Sequence, residues 1–183
     1  MKSTKERIIE LIYSPEFSEK YDSIKIETFL NTEKFYDAPA STGYHHNYPG
    51  GLAEHSLDVV EIAIEAYNGW KNRDIVKDVC IADIIMVGLL HDVGKAIDGY
   101  YIKHVSTNNG RVSYSYGPNA KIPHEYISGW LASKNLDISL PVFTAILMHN
   151  GLYTGTGSSI MNKHDESQLA YLIHIADMMS ARA

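Results

Sequence analysis

The stretch Tyr44 to Ser56, YHHNYPGGLAEHS, sets three histidines and a Gly-Gly pair ahead of an apolar helical pattern. An imidazole can bind a metal, carry a proton or simply pack, and the direction in which it points separates these roles. Leu52, His55, Val59, Ile62 and Ala66 recur by steps of three and four, which turns His55 inward with the apolar stripe. In the run ending GLLHDVGKA, the residues Cys80, Ile84, Val87, Gly88 and His91 share a face, and Asp92 follows at the helix end. A buried aspartate is costly unless it is paired or binds a metal. Val142, Ala145, Ile146 and His149 align in the same way, as do Leu169, Ile173, Ala176 and Asp177. His124 opens a helix beside Ile127, Ser128 and Leu131. Taken singly, an inward histidine is an ordinary core residue. Together, His55, His91, Asp92, His124, His149 and Asp177 are hard to satisfy in one small domain without a cation. Imidazole and carboxylate donors without thiolates suit Mn, Fe, Co, Ni, Zn or Mg and do not look like a closed structural zinc site.

The elements that must position these groups are mostly helical. Periodicity predicts helices over about 3–12 (capped by Ser3 or Thr4), 22–31, 52–70, 74–91, 124–133, 140–149 and 166–181. Residues 35–51 are loop-like, broken by Pro39, Gly43, Pro49 and the glycines. Between about 100 and 116 the texture changes to alternating aromatic, β-branched and polar residues around Asn109-Gly110, a hairpin signal. The expected fold is mostly α with one small inserted β-hairpin. A single domain is expected over 1–183, with 1–34 as an N-terminal helical extension.

Composition narrows the function classes. The 183 residues suffice for one domain, and 45% apolar with 21% charged residues is ordinary for a globular protein. No apolar run approaches the roughly 20 residues of a membrane span, and MKSTKERIIELIYS lacks the apolar core of a signal peptide. The one cysteine, Cys80, reads as a buried inert thiol. A cytoplasmic protein is expected. The formal net charge of -6 argues against broad non-specific nucleic-acid binding but leaves room for a small phosphorylated substrate held by metal ions.

The order His55, then His91-Asp92, then Asp177 resembles the metal-binding signature of the HD-domain metal-dependent phosphohydrolases. His124 and His149 match the two extra histidines of members that bind two metals. HHNYPGGLAEHS followed by LLHDVGK is most similar to the HD domain of bacterial 3′–5′ exoribonucleases, and also to small stand-alone HD hydrolases, phage-encoded ones included. The resemblance covers roughly residues 35–180. It implies an HD-type helical bundle and two divalent ions bridged by Asp92. His55, His91 and Asp177 would complete one ion's shell, and His124 and His149 the other's. It further implies hydrolysis of a nucleotide phosphoester or phosphoanhydride by a metal-activated water.

The resemblance leaves several roles open. Lys95 either holds the phosphate and assists the leaving group or is a solvated lysine past a helix end. His45 and His46 are candidate rim residues for substrate, or solvated loop histidines. Gly50 and Gly51 would let a ligand approach the helix N-terminus, or would only make a tight turn. Arg182 either reaches a phosphate or complements the helix dipole. Tyr100, Tyr101, Tyr114 and Tyr116 stack on a base or pack the hairpin. GTGSS at 155–159 is a candidate lid, His104 a surface residue and His174 a packing or supporting one. His164-Asp165 reads as a decoy in which Asp165 and Gln168 cap the last helix. Small nucleotides are expected over polymers, because the acidic chain has no room for a separate nucleic-acid-binding domain. The alternatives are a 3′–5′ exonuclease or phosphodiesterase on single-stranded or cyclic nucleotides, a di-iron oxygenase, and a non-catalytic nucleotide-binding module. A homo-oligomer is compatible with the sequence; a membrane partner is not expected.

Overall fold

A computed structural model describes residues 2–151 and 167–182. The GTGSS segment and the His164-Asp165 pair lie outside the described residues. Three helices open the chain: α1 (Thr4–Ile12), α2 (Pro15–Ser18) and α3 (Ser23–Thr32). Ser3 caps α1 through a reciprocal capping box with Glu6, and the Asp22 carboxylate accepts from the Lys25 amide at the start of α3. After the loop come α4 (Gly51–Trp70), α5 (Ile81–Leu90), the strands β1 (Tyr101–Val105) and β2 (Val112–Tyr116), then α6 (His124–Asn135), α7 (Leu140–Met148) and α8 (Gln168–Ser180). The mostly α fold with one small hairpin matches the sequence expectation. No helix among the described residues is long and apolar enough to cross a membrane.

The centre of the fold is α5. Every residue from Ala82 to Leu90 is buried, as befits a helix that is apolar on nearly all sides. It is packed by α4, α7, α8 and α2. Ile8, Ile12 and Phe17 from the N-terminal helices enter the same core as Leu52, Leu89 and Ile173. Asp83 is the polar exception on α5. Its carboxylate accepts from Tyr21 Oη (2.5 Å) and Lys20 Nζ (2.8 Å), which ties α5 to the segment after α2.

Three expectations need correction. The helix predicted over 74–91 is broken: Asp74–Val76 forms a single 3₁₀ turn and α5 begins only at Ile81. The reason is tertiary. The Gln168 amide donates to the Asp74 carbonyl (2.9 Å) and accepts from the Asp78 N–H (3.1 Å), engaging backbone groups that a continuous helix would use itself. Cys80 therefore lies at the junction, half-buried rather than buried, with Lys20 Nζ 3.4 Å from its sulfur. Gln168 is also the first residue of α8, whose cap is Ser167, so it is not the far half of a capping box.

The hairpin pairs Tyr101 with Tyr116 and Val105 with Val112, but Asn109-Gly110 is not a two-residue turn. The Ser106 amide reaches the Arg111 carbonyl (2.9 Å) across a longer loop in which Gly110 takes φ 68°. Lys34 and His46 are the non-glycine residues with positive φ among those described.

Gly94 does not end α5 by a left-handed cap. It lies in the 3₁₀ turn Val93–Ala96, pressed on the first turn of α6, and its N–H donates to Ser128 Oγ (2.8 Å). A Cβ there would stand 2.5 Å from the His124 carbonyl oxygen and 2.8 Å from the Ser128 nitrogen, which are backbone atoms with little room to yield. Gly94→Ala is expected to lower stability by about 1–3 kcal/mol in thermal unfolding, because it prises this turn from α6. Gly43→Ala, where a Cβ meets nothing within 4 Å, should stay within about 0.5 kcal/mol.

Candidate metal centre

The six sequence-predicted ligand residues converge, and they do so from helix ends. His55 lies in the second turn of α4 and Asp177 in the last turn of α8. His91 and His149 are the C-caps of α5 and α7, and His124 is the first residue of α6. Asp92 follows His91 with φ -109° and ψ 3°, a sparsely populated bridge conformation that turns its carboxylate back under the helix end.

The two oxygens of Asp92 face different partners. Oδ2 lies 3.6 Å from the Nε2 atoms of both His55 and His91. Oδ1 lies 2.8 Å from His124 Nε2 and 3.5 Å from His149 Nε2. Asp177 Oδ1 stands 3.1 Å from His55 Nε2 and 3.9 Å from His91 Nε2. Within each half, imidazole nitrogens face each other: His55 and His91 at 3.4 Å, His124 and His149 at 3.2 Å. Two lone pairs so placed repel unless a proton or a cation lies between them. His55, His91, His149 and Asp92 are essentially inaccessible to solvent.

These residues fit a metal. His91 Nδ1 donates to the Gly88 carbonyl (2.8 Å) and His149 Nδ1 to the Ile146 carbonyl (2.7 Å). A carbonyl can only accept, so each Nδ1 carries a proton and each Nε2 is turned toward the cluster, with a free lone pair whenever the ring is neutral. His55 Nδ1 is paired with Ser180 Oγ (3.0 Å), a hydroxyl that orients the ring and can accept from it or donate to it. Asp92 Oδ1 is a buried acceptor with no aligned hydrogen bond, despite the proximity of His124. Three sets have donor atoms within 4.8 Å of one another: His55 with His91 and Asp92, His91 with His149 and Asp177, and Asp92 with His124 and His149. Thus Asp92, His91 and His149 each belong to two sets.

The charges are strongly set by burial. Burial pushes His91 down to about 3, against the opposing pull of Asp92, so it is neutral at pH 7. Burial would raise Asp92, but Lys95, His91 and His124 hold it well below the usual carboxylate range. Lys95 Nζ lies 2.5 Å from Asp92 Oδ2. Burial would lower this amine, but the carboxylate raises it, so Lys95 is a cation and not a general base. Burial would likewise lower His149, yet Asp92 raises it above 6.5.

Around the cluster, the remaining candidates separate. The His45 ring lies 4.8 Å from that of His55, its Nε2 buried without a hydrogen-bond partner. Burial first, then the neighbouring His55 and Lys95, pushes it down to about 4. His46 turns instead to Asp58 (3.3 Å) and takes φ 47°. Its carbonyl oxygen would lie 2.0 Å from a Cβ on Gly51, so the close approach at the start of α4 belongs to the loop itself and not to a ligand. Tyr100 is buried, its ring 6.5 Å from His124, and Tyr116 is exposed. Arg182 is exposed beyond α8 with no ion pair to the cluster. His104 is bonded to Ser115 on the exposed hairpin, and His174 donates to the His149 carbonyl (2.7 Å), a supporting position.

Sequence reasoning missed Ser180, Glu125 and Asn150. Ser180 is wholly buried and lies three residues from Asp177, one turn along the same helix. Glu125 is buried, with Oε2 3.5 Å from His124 Nδ1 and 3.4 Å from Asn150 Nδ2. Only the inward register of their helices could have flagged them.

Two outcomes follow from this geometry. Ser180→Ala should weaken metal affinity by about 10–100-fold, measured by competition with a chelating dye, because His55 loses the partner that orients it. Metal uptake should also be proton-linked. His91 has no proton to lose at neutral pH, whereas His149, raised above 6.5, must release one. Affinity should therefore rise with pH while His149 is still protonated and level off once it is neutral, with proton release visible by calorimetry in buffers of different ionisation enthalpy. A flat profile would contradict the assignment of His149.

Comparison with known proteins agrees with this geometry. The chain is 26% identical over 180 residues to dihydroneopterin 2′,3′-cyclic phosphate phosphodiesterase of Methanocaldococcus jannaschii, which covers 94% of this chain and 61% of that protein. It is 33% identical over 90 residues to the 3′–5′ exoribonuclease YhaM of a Geobacillus species, covering 49% of this chain and 23% of that one. The chain thus spans about three fifths of the first relative's length and under a quarter of the second's. No solved structure matches it significantly. Residues 52–182, well over half of the chain and containing all six clustered residues, match the family model described as the HD domain, and the chain belongs to that family.

Proposed function

We propose that this chain is a metal-dependent phosphohydrolase acting on a phosphoester of a nucleotide or nucleotide-derived substrate, with two divalent ions at the cluster. The observation that carries the reading is Asp92, whose two carboxylate oxygens face two separate sets of imidazoles. Divalent ions there supply acidification of water and neutralisation of phosphate oxygens. Mn, Fe, Co, Ni, Zn and Mg all suit the donor set. The hydrolase reading is supported by the two relatives, named a cyclic phosphate phosphodiesterase and an exoribonuclease, and residues 1–34 are read as an N-terminal extension of the HD domain.

The chain's own residues divide the remaining work. The backbone-anchored imidazoles keep their Nε2 atoms fixed before substrate arrives, which avoids reorganisation during the reaction. Lys95, a half-buried cation beside Asp92, holds a phosphate oxygen or gives its proton to the leaving group. His45, neutral at pH 7 with an unpartnered Nε2 next to His55, is the loop residue placed to touch substrate, with His46 behind it. A cyclic phosphodiester is favoured over a long polymer by the net charge of -6.

The test is a panel of nucleoside monophosphates, 2′,3′-cyclic nucleotides and a labelled oligonucleotide, each offered to metal-loaded protein. Ring opening of the cyclic nucleotides or release of phosphate from the monophosphates is expected, and release of mononucleotides from the oligonucleotide alone would overturn the preference for small substrates. Asp92→Ala should lose both metal and activity; retention of both would refute the site. Lys95→Ala should keep its metal while kcat falls by about 10²–10³-fold.

A further inference from the structure

The hairpin is an unusual addition to a helical domain, and one of its faces is not apolar. Strand side chains alternate between faces, so Tyr101, Lys103, Tyr114 and Tyr116, paired 101 with 116 and 103 with 114, share one side. The Tyr101 ring lies 5.7 Å from that of Tyr116 and 6.4 Å from that of Tyr114. Tyr101 is anchored by its hydroxyl, which donates to the Ala40 carbonyl (3.2 Å) and so links the hairpin to the loop before α4.

A cavity of about 310 Å³ lies against this face. Tyr101, Lys103 and Tyr114 form one wall and Lys34 stands on the loop side. Lys95 also lines it, and the same Lys95 amine stands 2.5 Å from Asp92, so the cavity adjoins the metal centre. Of its three lysines, Lys34 is paired with Asp98 and Lys95 with Asp92, which leaves Lys103 as the lysine without an ion pair among the described residues. Lys34 takes φ 56°, a conformation that costs energy for a lysine, and from there its amine reaches Asp98 at 2.6 Å. An aromatic wall, lysine amines on two sides and a volume suited to a small molecule together describe a site for an anion that carries a flat ring.

We propose that this cavity seats the base of a single nucleotide whose phosphate lies at the metal centre, with Tyr114 and Tyr101 as the stacking surface and Lys103 and Lys34 attracting the anion. The proposal rests on the hydrolase reading for the placement of the phosphate, but not for the existence of the pocket. It makes the inserted hairpin the element that selects substrate, while the helices hold the chemistry.

The test is calorimetric binding of a nucleoside 5′-phosphonate, which hydrolysis cannot consume, and of its base-free ribose counterpart to the metal-loaded chain. Tyr114→Ala should weaken the nucleoside ligand by about tenfold or more and leave the base-free ligand unchanged. Tyr114→Phe should bind as the unsubstituted chain does, and Lys103→Ala should weaken both ligands. Circular dichroism and thermal unfolding confirm that each variant is folded. The proposal is overturned if the unsubstituted chain binds no nucleoside ligand, if Tyr114→Ala changes nothing, or if it weakens both ligands equally. Selective binding without hydrolysis of any phosphoester in the nucleotide panel, ring opening of the cyclic nucleotides included, would sink the hydrolase reading and leave the pocket standing.

Discussion

The carboxylate of Asp92 is almost wholly removed from water, and the rest of the site is arranged around that fact. A buried charge without compensation costs several kcal/mol, and the fold supplies the half-buried ammonium of Lys95 and imidazoles on both sides. The pairing with Lys95 keeps the carboxylate ionised. The imidazoles, by contrast, are mostly neutral and present lone pairs, so they answer the charge only when a proton or a cation joins them. A site built this way is more comfortable with metal than without it.

The backbone does much of the orienting. His91 and His149 each end a helix and bond the carbonyl three residues back, Gly88 and Ile146. Carbonyls at a helix C-terminus lack helical partners, so the same bond caps the helix and fixes the ring. Gly88 has a second task, since a Cβ there would stand 2.5 Å from Val60 Cγ2, and its absence lets α4 and α5 approach closely enough for His55 to meet His91. Stability and ligand geometry therefore share atoms here, and neither can be altered alone.

Much of the fold was legible in the chain. The apolar stripes of α4, α7 and α8 set the inward direction of His55, His149 and Asp177, because each helix has one face against the core. The same logic worked less well on α5. Its residues are buried on all sides, so a stripe through Cys80, Ile84 and Val87 carries little directional information, and the 3₁₀ break before Ile81 depended on Gln168, about ninety positions away in sequence. Ser180 and Glu125 were invisible for a related reason: an ordinary serine and glutamate become site residues only through what faces them.

By itself the sequence determined which residue types could bind metal, their order along the chain, and the helices that turn them inward, since periodicity is a local property. Only the tertiary structure decided how they divide. That Asp92 Oδ2 faces His55 and His91 while Oδ1 faces His124 and His149 depends on where four helix ends meet. That the Tyr and Lys face of the hairpin adjoins Lys95 depends on how an inserted element folds back over the loop before α4. Both are relations between segments distant in sequence, fixed by packing, and no local pattern in the chain encodes them.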